Sequence, residues 1–89
     1  MTERNTSKLS LYQYDFCPYC LIVRRAIKRL GIDIEIRDTL KHPEYRQELI
    51  ESGGKSQVPC LRIEKNGSVL WMYESTEIID YLNRHFGQN

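Results

Sequence analysis

The apolar positions of the chain change period several times, and each change marks an element. In residues 9–14, Leu9 and Leu11 fall on one face and Tyr12 and Tyr14 on the other, the pattern of a strand covered on both sides. From Pro18 the spacing becomes helical: Val23, Ala26, Ile27 and Leu30 share one face, while Arg24, Arg25, Lys28 and Arg29 fill the rest. Pro18 suits a first helical position and Gly31 the residue just past the end. Ile32, Ile34 and Ile36 then alternate with Asp33, Glu35 and Arg37, which predicts a second, half-buried strand. Strand, helix and strand in so short a stretch predict a right-handed parallel crossover.

A weaker helix is expected over residues 42–52, with Pro43 near its start, Tyr45 and Leu49 on one side, and Gly53-Gly54 at its end. Residues 58–63 and 68–72 flank Asn66-Gly67, a strong hairpin signal, so these two segments should pair antiparallel. Ser75 is placed to cap a last helix whose buried stripe is Ile78, Ile79, Leu82 and Phe86 and whose end is Gly87. The predicted order is βαβ-α-ββα, an α/β fold with a four-stranded mixed sheet and three helices on its faces. Residues 1–8 show no periodicity and are expected to form a disordered tail, leaving a single domain at residues 9–87.

Composition narrows the function classes. A chain of 89 residues fits one small domain. Domains of this size bury only roughly 60–65% of their unfolded surface, so a substrate is expected at the surface. Thirteen basic against twelve acidic residues give a net charge of +1, short of the basic footprint of a nucleic-acid binder. The longest apolar run, residues 69–73, falls far below the ~20 residues that cross a bilayer. The polar opening does not read as a signal peptide, so the expectation is a cytoplasmic protein with no membrane partner. Basic residues toward the end of the first helix complement its dipole. Gly54-Lys55-Ser56 resembles the end of a phosphate-binding loop, but Leu49 stands where that motif requires Gly, which excludes nucleotide binding.

Chemistry concentrates in Cys17-Pro18-Tyr19-Cys20, where the first strand gives way to the first helix. A Cys17–Cys20 bridge closes so small a loop that chain entropy yields only ~2 kcal/mol, against ~4.7 for a loop of a hundred residues, so redox chemistry explains the spacing better than stapling. The unpaired N–H groups and positive dipole end of a helix start favour Cys17 as a thiolate. Cys20, one turn on, can reach Cys17 but lacks that placement. Cys17 is therefore expected to attack and Cys20 to resolve. A stabilised thiolate gains in population about what it loses in nucleophilicity; its clear advantage is as a leaving group, which makes a mixed disulfide on Cys17 short-lived. A zinc site needs four ligands, and Cys60, His42 and His85 supply no second close pair, so no metal is expected. Cys60 reads first as a packed strand thiol and second as a third redox thiol. Tyr19, between the cysteines, is expected to be partly exposed and to contact substrate. Trp71, Tyr73 and Tyr81 read as core or groove-wall aromatics.

With Cys-Pro-Tyr-Cys at 17–20, Val58-Pro59 opening the third strand and Tyr73-Glu74-Ser75-Thr76-Glu77-Ile78 opening the last helix, the sequence resembles a glutaredoxin over about residues 9–86. The Glu-Ser form of the last motif is nearer the glutathione-transferase-like glutaredoxins than the common small ones, which carry Gly-Gly there. The resemblance implies a thioredoxin fold and glutathione as co-substrate. It also implies a monomeric dithiol oxidoreductase, or thioltransferase, that reduces disulfide-containing and glutathionylated proteins. By position, Val58 would pair its backbone with the cysteinyl part of glutathione, Pro59 would be cis beside Cys17, and Glu74 and Ser75 would hold the γ-glutamyl group. A helix N-terminus binds carboxylates on its own account, and Ser75 could equally be a structural cap.

Two departures stand out. Tyr14 occupies the position where many small glutaredoxins have Lys, and Gln57 the position where many have Thr. Lys55 or Gln57 would then contact the glycyl carboxylate. The transferase-like relatives carry an added helical domain for which this chain is expected to have no room, so half of their cleft would be absent or supplied by a partner. Two further function classes stay open: an iron–sulfur cluster carrier, against which Pro18 argues by family analogy, and an electron donor reduced by thioredoxin reductase.

Overall fold

The computed structural model of the protein describes residues 6–87. The chain runs β1 (Leu9–Gln13), α1 (Pro18–Leu30), β2 (Glu35–Asp38), α2 (Pro43–Glu48), one π-helical turn (Leu49–Gly53), β3 (Cys60–Lys65), β4 (Ser68–Met72) and α3 (Ser75–Phe86). The strands form one sheet in the order β2-β1-β3-β4, parallel between β1 and β2 and antiparallel elsewhere. This is the four-stranded mixed sheet that the alternation of periods predicts, and the thioredoxin fold that the resemblance implies.

Successive strand residues point to opposite faces, so β1 and β3 feed two cores. Leu9, Leu11, Leu61 and Ile63 meet Val23 and Ile27 of α1, Ile78 and Leu82 of α3, and Ile34. On the other face Tyr12 and Cys60 meet Leu49, ringed by Tyr45, Val58, Trp71 and Tyr73. The β3–β4 turn has Asn66 at φ 53° and Gly67 at φ 80°, the left-handed pair that a two-residue hairpin needs.

Several boundaries differ from expectation, each for a local reason. The second strand begins only at Glu35; Ile34 is buried but Ile36 is 42% exposed, because β2 is a sheet edge. The third begins at Cys60 instead of residue 58, since Pro59 has no N–H to give to a ladder, and it continues to Lys65. The first stops at Gln13. The second helix is regular only to Glu48; it then widens, with the Gly54 N–H shared between the Leu49 and Ile50 carbonyls at 3.1 and 3.0 Å. The expected tail is shorter at its inner end: Leu9 N–H donates to the Thr6 carbonyl, Glu64 N–H donates to the Lys8 carbonyl, and the Thr6 hydroxyl donates to the Asp33 carbonyl. Residues 1–5 of that tail lie outside the described residues. Among the described residues no helix is long and apolar enough to cross a membrane.

Candidate active site

Cys17 is the N-cap residue of α1, with Pro18 at the first helical position. Its sulfur accepts a hydrogen bond from the Cys20 N–H at 3.3 Å, while its carbonyl accepts from Leu21 N–H at 3.0 Å. The thiol is thus turned onto the helix-start amides. Cys17 keeps 6% of its surface exposed and Cys20 none. Burial, then the hydrogen bond to Cys17, pushes the Cys20 thiol up to about 12, against an opposing bond from the Tyr14 backbone. Cys20 is therefore a protonated thiol at neutral pH. The preceding loop is pinned by Asp15, whose carboxylate lies 3.3 Å from Lys41 Nζ and 3.4 Å from Arg24 Nη1. The hydrogen bond from Lys41 holds that carboxyl below the usual carboxylate range.

Beside the pair, Tyr19, Gln57, Val58, Pro59, Tyr73, Glu74 and Ser75 line a surface groove of about 230 Å³. The three separate sequence motifs are brought to one place by the sheet: Tyr19 from α1, the Gln57-Val58-Pro59 segment before β3, and Glu74-Ser75 at the start of α3. Cys17 is not among the lining residues; Tyr19, two residues on and 64% exposed, forms that side. The Val58–Pro59 bond is cis. The Val58 backbone makes no hydrogen bond to other described residues, which leaves its N–H and C=O free for an extended ligand.

The expected cap of α3 is corrected. Glu74, not Ser75, is the N-cap residue, and its side chain makes no capping bond; Ser75 is the first helical residue. Glu74 has the extended backbone of a cap and its carbonyl accepts Ile78 N–H at 2.9 Å, so the helix begins one residue earlier than a Ser75 cap requires. No N-cap side chain occupies the first amides of α3, and Glu74 and Ser75 at this helix start line the groove. Lys55 does not line the groove; its ammonium lies 5.0 Å from the centroid of the Tyr73 ring. Cys60 is fully covered, and burial pushes its thiol up to about 12, the state of a packed strand cysteine. Tyr73 is the lining residue that sequence reasoning placed only among core or wall aromatics. Its position directly before Glu74-Ser75 is the signal that it had to reach the groove.

The sheet order, the parallel crossover and a Cys-x-x-Cys pair at the first helix start define a protein of the thioredoxin fold. A family model described as glutaredoxin matches residues 9–68, and the chain belongs to the glutaredoxin family. A glutaredoxin of Pseudomonas aeruginosa is 32% identical over 53 residues, which are 60% of this chain and 63% of that relative. Among solved structures, an epsilon-class glutathione S-transferase from the housefly Musca domestica superposes with a TM-score of 0.70 at 25% identity, over 92% of this chain and 37% of the transferase. Maleylacetoacetate isomerase from Anaeromyxobacter dehalogenans, solved with glutathione in its active site, gives 0.66 at 27% identity, over 88% of this chain and 38% of the isomerase. A thioredoxin-like protein matches in fold with a TM-score of 0.67 at 24% identity, over 88% of this chain and 92% of its own. The chain thus spans little more than a third of the transferase-type proteins it resembles.

Proposed function

We propose that the protein is a glutathione-dependent thiol–disulfide oxidoreductase of the dithiol kind, acting in the cytoplasm as a monomer on protein disulfides and glutathione mixed disulfides. One observation carries the reading: a Cys17 sulfur held on the α1 amides beside a covered, protonated Cys20. The Cys17 thiolate attacks one sulfur of a disulfide, forming a mixed disulfide and expelling the other sulfur as a thiolate that takes a proton from water. Cys20 then loses its proton and attacks the Cys17 sulfur, releasing the second substrate thiol and leaving a Cys17–Cys20 disulfide. One glutathione opens that bond, becoming attached to Cys17 and returning Cys20 to the thiol. A second glutathione attacks the first at sulfur, so two glutathione thiols are oxidised to one disulfide for each substrate disulfide reduced. With a glutathionylated protein the cycle bypasses Cys20.

The groove supports glutathione as the electron donor. The unpaired Val58 backbone offers an extended pairing to the cysteinyl unit, and the α3 amides with Glu74 and Ser75 offer a place for the γ-glutamyl carboxylate. Gln57, which lines the groove, is the contact proposed for the glycyl carboxylate, and Tyr19 the one proposed for the thiol end; Lys55 lies outside the lining, at the Tyr73 ring. The family membership and the glutathione-bound isomerase point the same way.

The test is a glutathione reductase-coupled assay. Cys17→Ser should reduce turnover to background, whereas Cys20→Ser should keep deglutathionylation and lose most protein-disulfide reduction. Full activity in Cys17→Ser, or a wild type that turns over only with thioredoxin reductase, sinks the proposal.

A further inference from the structure

Between the π turn and β3 the chain runs through residues 54–59 without regular structure. Among the described residues, one hydrogen bond ties residues 55–59 to the rest of the fold: the Tyr73 hydroxyl donates to the Lys55 carbonyl at 3.3 Å. The same tyrosine makes three other contacts. Its ring receives the Lys55 ammonium at 5.0 Å. Its hydroxyl faces Gly53 so closely that any side chain there would come within 2.5 Å of it and 3.0 Å of the Trp71 ring. On its inner side the ring packs against the cluster of Tyr12, Leu49 and the buried Cys60. Tyr73 therefore joins the end of β4, the π turn, the segment before Val58 and the covered strand beneath them.

We propose that Tyr73 is a positioning residue for glutathione, its hydroxyl latching residues 53–57 to the sheet so that Gln57 and Val58 are held ready at the groove wall. The inference rests on the glutathione-dependent reading above. Its physical basis is preorganisation: a loop residue left unfixed forfeits about 1–2 kcal/mol of conformational entropy on binding, and a segment already tied down loses less. The bare α-carbon of Gly53 is what lets the turn approach the hydroxyl, so the latch has two halves, one on each element.

Tyr73→Phe removes the hydroxyl and keeps the ring, hence the wall of the groove and the contact with Lys55. The expected result is a rise of about 5-fold in KM for glutathione with kcat within about 2-fold of the wild type, the size of one net hydrogen bond. Gly53→Ala, which forces the turn away from Tyr73, should raise KM in the same direction. Backbone order parameters from 15N relaxation at Gln57 and Val58 should be lower in Tyr73→Phe than in the wild type, a readout that holds even if turnover is poor. A lowered melting temperature with KM and these order parameters unchanged overturns the latch and leaves Tyr73 a structural residue. A wild type that does not turn over with glutathione overturns the parent reading instead, and the relaxation experiment still decides whether the latch exists.

Discussion

The two faces of the sheet are built from different chemistry. Under α1 and α3 every buried contributor is aliphatic: Leu9, Leu11, Leu61 and Ile63 from the strands against Val23, Ile27, Ile78 and Leu82 from the helices, with Ile34 beside them. Under α2 the buried set is Tyr12, Cys60 and Leu49, and α2 itself contributes no buried residue. What holds that side is a directional network. The Arg37 guanidinium donates to Tyr12 Oη at 2.8 Å and Glu48 Oε1 at 3.1 Å, Tyr12 Oη donates to the same Glu48 oxygen at 2.7 Å, and the guanidinium lies over the Tyr12 and Tyr45 rings. Trp71 and Tyr73 continue this aromatic layer to the groove. Hydrophobic burial is non-directional and supplies most of the driving force for folding, whereas hydrogen bonds fix relative positions. The aliphatic face stabilises the domain; the aromatic and ionic face fixes where the groove wall stands.

Leu61→Ala is the strongest way to break that division. Leu61 is fully covered on the aliphatic face, and deleting a buried Leu costs about 2–5 kcal/mol. In urea unfolding the midpoint should fall accordingly, while KM for glutathione in whatever fraction stays folded should be unchanged. A large KM change with little loss of stability would mean that the two faces do not divide the work in this way.

The aliphatic face was legible in the sequence because its residues repeat at strand and helix periods, and every residue named in the last helix's stripe packs on that core. The other face was not. Arg37 sat on the polar side of an alternating strand, and nothing in the pattern says that its stem and head lie half-buried between two tyrosines. The π turn has no periodic signature, since its extra residue matters only where Gly53 meets Tyr73 and Trp71. Six of the groove-lining residues came from three short motifs, which carry local backbone information: a proline, a helix start, a cysteine pair. Tyr73 gets its role from a carbonyl 18 residues away, and the α3 cap from a one-residue shift of the helix start.

Alkaline pH should sharpen the contrast in another way. Burial raises the Tyr12 hydroxyl from 10.0 to about 12 and the Cys60 thiol from 9.0 to about 12; Cys20 behaves likewise at the active site. Groups that bind protons more tightly when folded stabilise fully below their unfolded values and lose that contribution as pH rises through the folded ones. Stability should be level to about pH 9 and then decline toward pH 12. The measurement is urea unfolding under reductant between pH 8 and 11.5; a flat or rising curve over that range contradicts the assignment.

Tyr12→Phe carries the smallest expected effect and discriminates most finely. It removes one hydroxyl while keeping the ring against Trp71, at 5.6 Å between centroids, and it leaves the direct Arg37–Glu48 bond in place. With the ion pair surviving, the loss at pH 7 should be about 1 kcal/mol, the net contribution of a hydrogen-bonded hydroxyl, and well below that of Leu61→Ala. The same variant lacks the group that titrates above pH 10, so its alkaline decline should be shallower than that of the wild type. The two curves should therefore approach each other as pH rises. A loss at neutral pH equal to that of Leu61→Ala would instead make the aromatic face a second stability core, and the separation between what holds the fold and what shapes the groove would be gone.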